Sequence, residues 1–148
     1  MINIPHITVA CVVERDGRYL MVREESNGLI VYNQPAGHLE PGESLISAAE
    51  RETLEETGWR VEITDFLGIY HYTSPQNGTF YVRNCFIAKP IYQTKGVERD
   101  SKIIETCWLS IEEIYTKEME LRSPLVLKAL KDFTYGRKFP LSLIHIEN

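Results

Sequence analysis

The chain is short of cysteine, of positive charge and of long apolar runs, and each shortage removes a class of protein. Three cysteines, Cys11, Cys85 and Cys107, show no C-x-x-C spacing, which argues against a disulfide framework or a zinc site and for reduced thiols in a core. Lys and Arg number 16 against 21 Asp and Glu, a net charge of −5, so the basic footprint that grips duplex nucleic acid is missing. No stretch approaches the roughly 18 consecutive apolar residues of a membrane span. The start MINIPHITVACVV also lacks the basic region and small-residue cleavage site of a secretory leader. Internal repeats, low-complexity segments, coiled-coil heptads and interdomain linkers are absent as well. These absences lead us to expect a soluble, cytoplasmic, monomeric protein, one domain over residues 1–148, with no membrane or duplex partner.

What is present is a mixture of strand and helix signals. HITVACVV, a turn at Asp16-Gly17 and RYLMVRE read as a hairpin. VYNQPAG then ends regular structure and starts a loop running to about Gly42. From Ser44 to Thr57 the residues are mostly helix formers, and Gly58 stands where a helix-ending glycine belongs. VEITDFLGIYHYT and TFYVRNCFIAKP, joined by a turn-rich Ser74 to Gly78, predict a second antiparallel pair. TCWLS reads as a last strand, Ser110 with Glu113 as a capping box, and Ser123-Pro124 as the start of another helix. The apolar tail GRKFPLSLIHIEN is expected to pack on the domain. Strands interleaved with about three helices predict a mixed α/β fold.

The segment Ala36 to Trp59 concentrates Glu40, Glu43, Glu50, Glu52, Glu55 and Glu56. On a helix, Ile46, Ala49, Thr53 and Thr57 share one stripe, and Glu52, Glu55 and Glu56 share another. Like charges at such spacing destabilise a helix by a few tenths of a kcal/mol per pair, on the order of 0.2–0.5. Two readings compete: a solvated acidic face, or carboxylates converging on hard divalent cations that also take substrate phosphate oxygens.

The spacing favours the second reading. Gly37, Glu43, Arg51-Glu52, Glu55-Glu56, Gly58 and Trp59 resemble the Nudix box, G-x5-E-x7-R-E-U-x-E-E-x-G-U, in which U is a bulky apolar residue. Thr53 departs from the pattern at a packing position. The flanking PHITVACVV, YNQPAGHLE, LRSPLV and FPL are similar to a phosphatase subgroup of that family. The resemblance implies a Nudix α/β/α sandwich around a mixed sheet. It further implies Mg²⁺-dependent hydrolysis of phosphoanhydrides, with Mn²⁺ as a substitute metal. Nucleoside tri- and diphosphates are the implied substrates, together with the pyrimidine diphosphate precursor of thiamin, hydroxymethylpyrimidine diphosphate. The rivals are an ADP-ribose or nucleotide-sugar pyrophosphatase and an oxidised-nucleotide triphosphatase. A nucleotide-sensing module that does not cleave is the rival outside the enzymes.

Residue by residue, the resemblance makes Glu52, Glu55, Glu56 and the Gly37 carbonyl metal ligands, and Arg51 the arginine that orients a carboxylate. Glu52, Glu56 and a glutamate outside the box are all candidate bases for the attacking water, and Glu105, just ahead of the last strand, resembles that outside acid. Glu43 is expected to support the ligands from behind. Arg23 and Arg83 are candidate contacts for substrate phosphates, and Tyr32, His71 and Tyr72 are candidates to stack on a base. His38 occupies an unconstrained position of the box.

Overall fold

The computed structural model describes residues 4–95 and 100–147. The apolar run from Val9 to Val13 becomes the interior of β1 (His6–Arg15), which lacks alternation because both its faces are covered. Val9, Cys11 and Val13 enter one core with Ala48, Ala49, Phe66 and Phe86. Ala10 and Val12 enter a second core with Tyr70, Val126, Ala129 and Leu130. One strand thus separates two hydrophobic layers.

The expected first hairpin forms only at its tip. β1 and β2 (Arg18–Ser26) pair at Glu14↔Tyr19 and Arg15↔Arg18 around Asp16-Gly17, both at positive φ, and then diverge. β1 goes on to run antiparallel to β4 (Ala36–His38) and parallel to β6 (Phe80–Gln93). β2 instead pairs with β3 (Leu29–Asn33) and with β7 (Ile103–Ser110). The presumed loop from Val31 therefore overlaps the end of β3 and contains β4, because its backbone completes the edges of two diverging ladders. β5 (Trp59–Thr73) and β6 form the expected antiparallel pair. The seven strands make one mixed sheet that is split beyond the β1–β2 turn.

Among the described residues, three α-helices flank it. Ser44 caps α1 (Leu45–Thr57) by accepting from the Ser47 N–H, and Gly58 ends it at φ +78°, a left-handed conformation that favours glycine. The capping box of Ser110 and Glu113 starts α2 (Ile111–Thr116). Ser123 and Pro124 start α3 (Pro124–Thr134). α1 packs on one core, and α2 with α3 on the other, which is the expected α/β/α sandwich. In the tail, Phe139 bridges Phe66 on β5 through main-chain bonds of 2.8 and 2.9 Å, and Leu141 and Ile144 pack on the α1-side core. Among the described residues, no helix is long and apolar enough to cross a membrane.

Candidate active site

The loop from β4 into α1 is fixed by one guanidinium. Arg51 donates through Nε to Glu43 Oε2 at 2.7 Å and through Nη2 to Glu43 Oε1 at 2.9 Å, a two-pronged pair. Its Nη2 also reaches the His38 carbonyl at 3.0 Å, and its Nη1 reaches Glu52 at 2.8 Å and Glu55 at 3.1 Å. Glu43 in turn accepts from the Glu40 N–H at 2.9 Å. These hydrogen bonds from Arg51 hold the Glu43 carboxyl below its ordinary range and keep Arg51 charged. Sequence spacing thus becomes a tied loop, with the box arginine at its centre.

Gly37 explains its own place in the pattern. A Cβ there would collide with the Glu52 carboxylate, so any larger residue would displace it. Glu56 is buried, with Oε1 accepting from the Ala36 N–H at 2.9 Å. Burial first, and then the negative charge of Glu24, Glu52 and Asp100, push its carboxyl up to about 9, against the help of Ala36. Glu52 is raised too, by burial above all and also by Glu55 and Asp100, with Arg51 opposing.

A cavity of about 300 Å³ opens where the two ladders diverge. Gly37, Glu40, Glu52, Glu56 and Asp100 line its acidic part, while Arg83, Lys102 and Arg122 also reach it. Tyr72 and Tyr81, with Gln76 and Asn77 after β5, supply an aromatic and amide wall. Asn27 in the β2–β3 turn donates to Gln76 at 3.2 Å and ties that turn to the wall. Arg83 is 6% exposed and donates to Asn33 and Gln34 at 3.1 and 2.8 Å, while its Nε is buried with no protein partner among the described residues.

Several residues singled out from the sequence do not line this cavity, Arg51 and Glu43 among them. Arg23, Tyr32 and Glu105 are cross-strand neighbours: Arg23 is opposite both of the others in register, and its guanidinium lies 3.9 Å from Glu105. Strand parity is the reason. Leu20, Val22 and Glu24 share one face of β2, whereas Arg23 follows Met21 onto the other. β7 also begins at Ile103, before the expected Thr106, so Glu105 lies inside the strand and shares the parity of Cys107 and Leu109. Tyr32 packs against the α3-side core beneath Lys117. His71 meets Phe80 edge to face instead of lining the cavity, and Glu55 lies half exposed on Arg51 beside it.

The sequence reading missed Glu24, Asp100, Lys102 and Arg122. Glu24 is 5% exposed and is paired with Arg122 and Asn33. Its only signal was strand parity, which puts residue 24 on the face of Leu20 and Val22 and residue 23 on the other. Asp100 is brought in by tertiary contact: its N–H donates to the Glu55 carbonyl at 3.4 Å. His38 lines the cavity 3.0 Å from His6, and burial first, then neighbouring cationic groups, lower its pKa.

Comparison with known proteins is consistent with this geometry. Residues 4–130 match the family model described as NUDIX domain. The chain belongs to the Nudix family. It is 40% identical over 141 residues to phosphatase NudJ of Escherichia coli (strain K12), an alignment that spans 95% of this chain and 90% of that protein. NudJ of Shigella boydii serotype 4 matches to the same extent. A solved Nudix hydrolase from Nitrosomonas europaea superposes with a TM-score of 0.94 at 42% identity, covering 97% of each chain. This Nudix protein is accordingly a hydrolase of pyrophosphate bonds, in a family that generally uses divalent cations and small nucleotide substrates.

The residues present suit such a cation by donor chemistry. All are hard oxygen donors, the buried Glu56 carboxyl has no cationic side chain beside it among the described residues, and Gly37 leaves the space that Glu52 occupies. Among the described residues, no three acidic, histidine or cysteine side chains yet converge on one point. Arg51 draws Glu52 and Glu55 toward itself, so both would have to turn about their side-chain bonds to hold a cation.

Proposed function

We propose that this Nudix hydrolase uses Mg²⁺ to release orthophosphate from nucleoside tri- and diphosphates and from the thiamin-precursor hydroxymethylpyrimidine diphosphate. One observation carries the reading. Glu52, Glu56 and Gly37 line the same cavity as guanidinium and amide donors, so a cation and a phosphate chain can be held together. The 40% identity to phosphatase NudJ supports removal of a terminal phosphate in preference to cleavage between two larger groups. The net charge of −5 favours a small phosphate substrate over duplex nucleic acid.

In this reading Glu52, Glu55 and Glu56, with the Gly37 carbonyl, would hold Mg²⁺. Bound there, the cation supplies charge neutralisation to phosphoryl oxygens and acidity to a water. The chain's own contributions are positional. Arg51 holds Glu43 and the His38 carbonyl, and so fixes the loop that carries Gly37. The Ala36 N–H orients the Glu56 carboxylate. The water oxygen attacks phosphorus, the bridging P–O bond breaks, and the leaving phosphate or nucleotide keeps that electron pair. A cavity carboxylate takes the water's proton. Glu52, Glu56 and Asp100, which line the cavity, are the candidates in this reading, and Glu105, which faces Arg23 on the other side of its ladder, is not. Arg83 faces substrate from a fixed position, and Tyr72 and Tyr81 offer their rings to its organic part.

The test is incubation with Mg²⁺ and a panel of nucleoside tri- and diphosphates, ADP-ribose and hydroxymethylpyrimidine diphosphate, read by phosphorus NMR. Stepwise orthophosphate release, lost in Glu56→Gln, is expected. Pyrophosphate release, or cleavage of ADP-ribose alone, would contradict the proposed specificity.

A further inference from the structure

Arg122 lies outside the box, in the turn before α3, yet its backbone is held from two sides. Its N–H donates to the Tyr32 carbonyl at 2.8 Å, and its neighbour Leu121 bridges the same strand residue in parallel fashion. On the other side Ser123 caps α3, and Gln34 donates to the Val126 carbonyl in the first turn of that helix at 2.9 Å. The loop is therefore docked onto β3 and the segment after it, and the side chain starts from a fixed point.

The guanidinium is fixed at one corner only. Nη1 donates to Glu24, a carboxylate 5% exposed that also accepts from Asn33 at 3.4 Å. No partner for Nε or Nη2 is found among the described residues, and 37% of the side chain is exposed where it lines the cavity. The other two cations of the cavity differ from it. Arg83 is buried with Nη2 committed to Asn33 and Gln34. Lys102 is an exposed ammonium on a flexible stem. Arg122 alone among these three combines a buried anchor with donors open to the cavity, and guanidinium donors match phosphate oxygens in pairs.

We infer that Arg122 is a substrate-binding residue that grips the non-bridging oxygens of a phosphate group, with Glu24 as its positioning partner, so that the site favours ligands with linked phosphates. The inference rests on the proposed phosphohydrolase reading. Glu24 aims the guanidinium, and substrate phosphate takes the remaining donors. Removing Arg122 alone would also leave Glu24 buried beside Glu56 without its ion pair, so the single neutral variant can lose its fold for an unrelated reason.

The test uses Arg122→Lys, which keeps a charge for Glu24 but loses the fork, and the double variant Arg122→Gln/Glu24→Gln, which removes both charges together. Steady-state kinetics with a nucleoside diphosphate and Mg²⁺ are paired with calorimetric binding of its methylene-bridged, non-hydrolysable analogue and of the unphosphorylated nucleoside. The expected result is a KM raised about tenfold in Arg122→Lys and more in the double variant, with kcat within a few-fold of the parent; one lost charged contact of ~1.4 kcal/mol corresponds to tenfold. Binding of the analogue should weaken in step, and binding of the nucleoside should stay as it was. Unchanged KM and analogue affinity in a folded double variant would overturn the inference and leave Arg122 as a counterion for Glu24. A fall in kcat alone would overturn it as well. Inactivity of the unsubstituted protein toward every phosphoanhydride would instead sink the underlying reading, a result the variants cannot mimic.

Discussion

The two long flanking helices, α1 and α3, sit on opposite faces of one sheet and obey different physics. α3 buries Leu125, Val126, Leu127, Ala129 and Leu130, and its one buried acid, Asp132, is satisfied by the Tyr70 hydroxyl at 2.7 Å and Lys128 at 3.0 Å. α1 buries small groups, Ala48, Ala49, Thr53 and Thr57, and with them the carboxyl of Glu56, which lacks a cationic partner among the described residues. Apolar area stabilises α3, at about 25 cal/mol per Å² removed from water. The face of α1 gives up such area to carboxyl groups, an arrangement that a bound cation would offset. Stability and activity should therefore separate between the two helices.

The sharpest separation is expected at Glu56→Gln. Turnover should fall on the order of 10²–10³-fold, the usual loss when a charge-stabilising group leaves an active site. Stability of the metal-free protein at neutral pH should hold or rise, because burial and like charges oppose the ionised form of Glu56. Steady-state assays and urea titration read the two halves of this prediction. Leu130→Ala should do the reverse. Leu130 is fully buried, so its truncation should cost about 2–5 kcal/mol in urea unfolding, while the folded fraction keeps the parent's kcat.

A smaller effect is expected at Tyr70→Phe, which removes the donor to Asp132. About 1 kcal/mol should be lost near neutral pH. Burial works against the Asp132 charge, but donation from Tyr70 and Lys128 outweighs it, and the carboxyl sits below its ordinary value of 3.8. Its stabilisation is thus fully present above 3.8 and is lost as pH falls through the lower folded-state value. Acid unfolding of Tyr70→Phe, followed by circular dichroism, should start at a higher pH than that of the parent. Thr53→Val should matter least. Thr53 is buried where the family has a bulky apolar residue, and its hydroxyl donates back to the Ala49 carbonyl at 2.8 Å. Exchanging that local bond for apolar contact should move stability by less than about 1 kcal/mol and leave catalysis unchanged. A large loss of activity would mean that α1 packs more delicately than its small-residue face suggests.

What could be read from the chain divides along the same line. The loop and helix carrying Gly37, Glu43, Arg51, Glu52, Glu55 and Glu56 were legible because their geometry is local: fixed spacing on one helix and its entry loop sets the relative positions. The caps at Ser110 and Ser123 were legible for the same reason. Arg23 and Glu105 were misplaced because a strand residue's face depends on register, and a shift of one residue reverses it. Glu24, one position along, is the residue that faces inward. Asp100 and Arg122 reach the cavity only because β7 and α3 dock against distant parts of the chain, and no local pattern records that. The split of β1 and β2 into separate ladders was hidden as well, since Asp16-Gly17 fixes a turn but not how far the hairpin continues.

The most direct measurement is binding of Mn²⁺, as a paramagnetic stand-in for Mg²⁺, followed by the electron paramagnetic resonance signal of the free ion. The unsubstituted protein should deplete that signal with at least one site per chain, Mg²⁺ should restore it, and Glu52→Gln/Glu56→Gln should leave it nearly unchanged. If the parent fails to deplete the signal, or the double variant depletes it equally, then the carboxylates of α1 are not there to hold a cation.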